Sequence, residues 1–191
     1  AEQELNFAEL FALAKQGKPL EQFGLAPVIA KRLAARANRE LLEEELLELK
    51  RKKIDICTMV SPDYPPLLKE IHAPPALLYY KGSMDVLKEK ALAVVGSREA
   101  SRAGTANIRH ISRELAEAGV CIISGMARGI DAAAHRGALD AECGRTIAVL
   151  GCGVDIAYPR ENQDIYEQIC ERGAVISEYR PGTTPLPGNF P

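Results

Sequence analysis

Three glycine-bearing turns carry the chemistry that this sequence offers. Gly96-Ser97-Arg98, Gly125-Met126-Ala127-Arg128-Gly129-Ile130-Asp131 and Gly151-Cys152-Gly153-Val154-Asp155 each follow directly on a short apolar run. Glycine lets backbone N–H groups approach a ligand and a guanidinium presents a planar fork of donors, a combination suited to an oxyanion such as phosphate. The hydroxyls of Ser97, Ser101 and Ser124 are further donors, and Arg160 is a guanidinium just past the third turn. Gly96, Gly125 and Gly151 serve simple tight strand-to-helix turns equally well, and spacing alone leaves both readings open.

Asp131 and His135 stand four residues apart on a predicted helix and share a face. They fit a general-base pair or a structural hydrogen bond at the helix start; no nucleophile is placed beside them, which favours the second. The first turn lacks the second and third glycines of G-x-G-x-x-G in register, and no Gly-Lys-Ser/Thr phosphate loop occurs, which disfavours nicotinamide enzymes and P-loop nucleotidases. His72, His110 and His135 fall in separate segments without ligand spacing, and the five cysteines form no C-x-x-C pair. The expectation is therefore no metal, no cofactor and reduced thiols.

The elements that must position these turns are legible as alternating strands and helices. Residues 91–95, 120–124, 146–150 and 174–177 have the length and apolar character of buried parallel strands. Helical patterns over 104–118, 130–141 and 162–172 separate them, so successive turns should emerge at one carboxyl edge, where open α/β folds bind ligands. Upstream, 54–60 and 74–82 read as strands, and the pairs Pro65-Pro66 and Pro74-Pro75 exclude helix. The first fifty or so residues are helical in pattern, with one face at Leu5, Ala8, Phe11 and Ala12, a second helix opened by Pro27, and a third over Leu41 to Leu49. That third helix runs into Lys50-Arg51-Lys52-Lys53, which suits either its own dipole or a phosphate contact. The reading places a helical domain at 1–53 and an α/β domain at 54–191.

A chain of 191 residues with 47% hydrophobic content can build a core, and its net charge of −2 means that any nucleic-acid binding must come from a local patch. There is no Trp, and six Tyr and four Phe leave few rings for base stacking. No apolar run approaches the roughly 20 residues that span a bilayer, and Ala1-Glu2-Gln3-Glu4 has no signal-peptide character. A cytoplasmic protein without membrane attachment is expected.

Read together, the motifs resemble one family, DNA-processing protein A, also called DprA or Smf. The resemblance runs through Tyr64-Pro65, Leu78-Tyr79-Tyr80-Lys81-Gly82, Val94 to Arg98, Ser124 to Asp131, Ala134 to Leu139, Thr146 to Asp155, Tyr158-Pro159, Asn162, Ser177-Glu178 and Phe190-Pro191, about two thirds of the chain. It implies a Rossmann-like, mostly parallel sheet, extended by N-terminal strands and preceded by a small all-helical domain of the SAM or helix-hairpin-helix kind. It further implies a homodimer that binds and protects single-stranded DNA and loads the RecA recombinase onto it in natural transformation, without turnover. By motif position Gly96, Ser97 and Arg98 would contact backbone phosphate, Ser124, Gly125, Arg128 and Gly129 of the adjoining turn would also bind DNA phosphate, and Arg160 would extend the basic edge. Asp131, His135, Gly151, Gly153 and Asp155 would shape the pocket. In the family the segment opened by Phe190-Pro191 continues into basic residues, a helix and strands, so the resemblance implies that part of the domain lies beyond this chain. The competing reading is a Rossmann-like phosphoribohydrolase acting on nucleoside monophosphates, ranked lower because P-G-G-x-G-T-x-x-E is not found.

Overall fold

The computed structural model describes residue 16, residues 39–88 and residues 90–190. The chain divides into two units, Ala1–Arg51 and Lys52–Pro191. In the first, helix α1 (Arg39–Arg51) ends in Lys50 and Arg51, cations that complement the negative end of its dipole. The helices read at Leu5 to Ala12 and from Pro27 lie outside the described residues.

The second unit is built on one six-stranded sheet with the order β1-β2-β6-β5-β4-β3. The strands are β1 (Asp55–Thr58), β2 (Leu77–Gly82), β3 (Ala91–Ala93), β4 (Cys121–Ser124), β5 (Thr146–Val149) and β6 (Ala174–Ser177). β3 to β6 are parallel, and β1 and β2 extend them as antiparallel strands. Between the parallel strands run α3 (Arg102–Glu117), α4 (Ile130–Asp140) and α5 (Gln163–Arg172), and a short α2 (Pro66–Lys69) precedes β2. Every crossover steps the chain in the same direction across the sheet, so right-handed connections put α3, α4 and α5 on one face. Strand alternation then divides the core. Ile122 packs with Ala116, Ala134 and Ala138 under the helices, while its neighbour Cys121 faces Tyr64, Met84, Val86 and Ile147 on the other side.

Two expectations need correction. Residues 91–95 are not a buried strand: all three residues of β3 are exposed and Val95 is 74% exposed, because β3 is an edge strand paired only with β4. Nor does Pro65-Pro66 exclude helix, since α2 begins at Pro66, where a missing N–H costs no intrahelical bond.

Small residues set the height of α4 over the sheet. Gly137 lies against the Arg109 carbonyl of α3, with no room for a Cβ, so the two helices approach closely. At the far end of α4, the Arg172 guanidinium donates to the carbonyls of Leu139 (2.7 Å), Ala141, Glu142 (3.1 Å) and Gly144 (3.1 Å). These bonds satisfy acceptors that a helix C-terminus otherwise leaves unpaired. The N-terminus of α4 is thereby held at the carboxyl edge, against the first turn.

Candidate anion-binding edge

The first two turns interlock. The Ile130 N–H donates to the Ser97 carbonyl at 3.1 Å, the Ile130 side chain fills the space beside Gly96, and Gly129 lies directly on the Ser97 and Arg98 backbone. Gly129 has φ +74, a conformation that L side chains rarely adopt. Ser97, Arg98 and the start of α4 therefore form one surface.

On that surface the donors of the first turn are unengaged. Among the described residues the N–H groups of Gly96, Ser97 and Arg98 donate to no other group. The Ser97 Oγ accepts the Glu99 N–H at 3.1 Å, which leaves its own proton available, whereas Ser101 accepts the Gly104 N–H at 3.1 Å as the N-cap of α3. Arg98 and Arg102 are exposed beside this N-terminus, and neither has an acidic partner among the described residues. Two cations there oppose the helix dipole, an arrangement that an anion would relieve. Arg102 was assigned no role from the sequence, although an arginine in the first turn of a predicted helix was the available signal.

The second turn is organised differently from the expectation. Asp131 accepts the N–H groups of Gly125 (3.2 Å) and Ala127 (3.4 Å), so these amides are already used by a carboxylate. Ser124 is buried and its hydroxyl donates to the Val94 carbonyl at 2.6 Å, tying β4 to the chain beyond β3 rather than facing a ligand. Met126, fully buried at φ +60, is pinned by the Asn162 amide, which donates to its carbonyl at 2.9 Å. Arg128 reaches out of this turn and pairs through Nε with Glu161 at 2.8 Å.

Asn162 and Glu161 belong to the 3-10 turn Arg160–Asn162, so the segment carrying Arg160 is fastened to the second turn by one buried hydrogen bond and one exposed ion pair. Arg160 is itself exposed and, among the described residues, without a partner. Gly96 to Arg98, Arg128 and Arg160 thus stand on three connected segments. The third glycine turn, by contrast, is interior. Gly151, Cys152, Gly153 and Val154 are buried, Gly151 lies against the Phe190 ring, and the Gly153 N–H donates to the Thr183 carbonyl at 2.9 Å. Asp155 accepts the Gly182 N–H at 2.7 Å and pairs with Lys52 at 3.1 Å. Burial opposes ionisation of Asp155, but those two partners outweigh it and hold its carboxyl below the usual range. Residues 180–190, read from the sequence without a packing role, cover this turn; Phe190 also meets the half-exposed Tyr158 ring at 5.6 Å.

Asp131 and His135 share a helix but have separate partners. His135 is fully buried, with Nδ1 2.7 Å from the Thr146 hydroxyl, which in turn donates to the Ile122 carbonyl at 2.6 Å. Since Thr146 has one proton to give, His135 Nδ1 carries the hydrogen of that contact. Nε2 has no hydrogen-bond partner among the described residues, and burial, opposed in smaller part by the Ser124 backbone, lowers the His135 pKa from 6.5 to about 3. The unfolded chain therefore binds a proton near pH 6.5 that the folded protein refuses until about pH 3. Stability is complete above that window and is lost as the pH falls through it. Urea unfolding at pH 7.5 and pH 5 should differ by about 2 kcal/mol, with the slope flattened in His135→Gln; an equal slope in the variant would remove His135 as the cause.

Burial pushes the Cys152 thiol up to about 11, and the described residues contain no group of three His, Cys, Asp or Glu placed to hold a metal ion. Fold and edge together define an open α/β protein with a cationic carboxyl-edge surface formed by two interlocked turns. The chain belongs to the DNA recombination-mediator protein A family, whose model matches residues 55–191. It is 43% identical over 150 residues to the Protein Smf of Synechocystis sp. and 40% identical over 150 residues to the DNA processing protein DprA of Streptococcus pneumoniae. These matches cover 76% and 78% of this chain but 37% and 52% of the relatives, so the chain spans about half or less of their length. The crystal structure of Streptococcus pneumoniae DprA superposes with a TM-score of 0.78 at 35% identity, covering 98% of this chain and 61% of that one. A Helicobacter pylori DprA structure, described for its single-stranded DNA binding mode, gives 0.64 at 28% identity over 73% of this chain and 62% of its own.

Proposed function

We propose that this chain binds single-stranded DNA by its phosphates along the edge from Gly96 to Arg160, and serves recombination by protecting an incoming strand and passing it to a RecA-type recombinase. In this reading the protein acts in the cytoplasm as a homodimer on a Rossmann-like domain and turns over no substrate. The observation that carries it is the cluster of unengaged donors at the first turn: three backbone N–H groups, the Ser97 hydroxyl and the unpaired guanidinium of Arg98, with Arg102 and Arg160 nearby in the chain's connected segments. Family membership and the single-stranded DNA binding mode described for the Helicobacter pylori relative support it. Contacts of this kind position a strand without reading its bases. The half-exposed Tyr158 ring beside Phe190 adds a face on which any base can stack.

The test is a binding titration against oligo-dT and a mixed-sequence strand over a range of salt. Neutralising three phosphates gives a log–log slope of about −2 for single strands, alike for both sequences. Tyr158→Ala should weaken binding with the slope unchanged. A flat salt response would overturn the reading. The competing phosphoribohydrolase reading predicts free base from nucleoside monophosphates, with turnover lost in Asp131→Ala or Glu178→Ala. The two N–H groups held by Asp131, which is only 6% exposed, argue against a general-base role for it. Adding the recombinase to DNA-bound protein, and weighing the complex in solution, tests the handover and the dimer.

A further inference from the structure

We infer that Glu161 sets the affinity of this edge by occupying Arg128, so that a DNA strand must displace an internal carboxylate to gain that arginine; the inference rests on the phosphate-binding reading above. Arg128 leaves the second turn between Met126 and Gly129, the residues that hold this turn against Asn162 and against Ser97-Arg98. It is therefore placed between the segments carrying Arg98 and Arg160, two exposed guanidinium groups that have no partner among the described residues. Arg128 alone of these three is neutralised, by Glu161 at 2.8 Å. Both members are more than half exposed, at 63% and 52%, so a phosphate oxygen can reach the guanidinium without unfolding anything.

The backbones on both sides of the pair are fixed independently of it. The buried Asn162 amide bonds to the Met126 carbonyl, and Asp131 holds the amides of Gly125 and Ala127. Removing the pair should consequently leave the turns in place, as expected for an exposed ion pair, which contributes little to stability. What it changes is the charge presented to a polyanion. With Glu161 in place, the Arg128 positive charge is cancelled locally, and a negative charge stands in the path of the strand. A strand already held at Arg98 and Arg160 brings its next phosphate to Arg128 at high effective concentration and competes for it. A lone phosphate has no such advantage, so the pair favours a continuous strand over isolated phosphate groups.

The test uses the full chain, oligo-dT as the probe and a double-mutant cycle over Arg128 and Glu161, with Arg98→Ala measured alongside. Glu161→Gln should tighten binding several-fold and steepen the salt slope by about 0.7, the increment for one more neutralised phosphate. In an Arg128→Ala background the same change should give a clearly smaller gain, because only the long-range effect of the lost negative charge remains. Unchanged or weaker binding by Glu161→Gln, or an equal gain without Arg128, would overturn the role of Glu161 while leaving the edge intact. If Arg98→Ala also binds as tightly as wild type, it is the phosphate-binding reading itself that fails. Unfolding curves for each variant should overlay that of the wild type, and a shifted curve for Glu161→Gln would make the pair structural instead.

Discussion

Arg98→Ala is expected to weaken binding of single-stranded DNA by about 10- to 100-fold at moderate salt. Arg98 is exposed, has no acidic partner among the described residues and follows the free N–H groups of Gly96 and Ser97, so no described residue competes with phosphate for it. A hydrogen bond to a charged group contributes on the order of 1.5–3 kcal/mol, which corresponds to that fold-change. The salt slope should also become shallower by about 0.7, one phosphate fewer per site. Arg98→Lys separates charge from geometry: the slope should persist while part of the affinity is lost, because an ammonium cannot reproduce the planar fork. Anisotropy titrations at several salt concentrations read both quantities. Undiminished affinity in Arg98→Ala would remove the first turn from the interface. The unfolding midpoint should stay unchanged in both variants, since the wild-type side chain has no ion pair or hydrogen bond among the described residues.

Gly129→Ala should cost on the order of 3 kcal/mol and disrupt the edge with it. A residue with a Cβ at φ +74 is strained by about 1–2 kcal/mol. At Gly129 the added Cβ would also overlap the Ser97 carbonyl and press on the Arg98 backbone, so relief requires that the first turn move. Gly119→Ala is the comparison: its φ is +78, yet no atom lies within 4 Å of an added Cβ, so it bears the conformational cost alone. Denaturant unfolding should therefore show a clearly larger loss for Gly129→Ala, and DNA binding should fall in that variant beyond what its folded fraction explains. Equal losses at the two positions, with binding retained, would mean that the interlock of the turns does not matter.

The glycine turns and their arginines were legible because local requirements choose such residues. A short apolar run followed by glycine marks a strand entering a turn, and the parallel order of β3 to β6 follows from the helices between them. Ser124 and Arg128 show where that reasoning stops. Nothing in the string of residues says that the Ser124 hydroxyl turns inward to Val94, or that Glu161, thirty-three positions along, lies against Arg128. Asp131 was legible as a helix-start anchor, but its choice of the Gly125 and Ala127 amides depends on the loop closing back on the helix. The burial of the third turn likewise depends on residues 180–190 folding over it.

The sequence by itself determined the family, the alternation of strands and helices, and which residue types reach the carboxyl edge, because periodicity and turn chemistry act over a few neighbours. Only the tertiary structure decided which donors remain free. The amides of the second turn are used by Asp131, Arg128 is neutralised by Glu161, and β3 is an exposed edge. The physical reason is that availability is a property of pairing: a buried or juxtaposed partner from a distant segment satisfies a donor, and whether one arrives is settled by packing over the whole sheet.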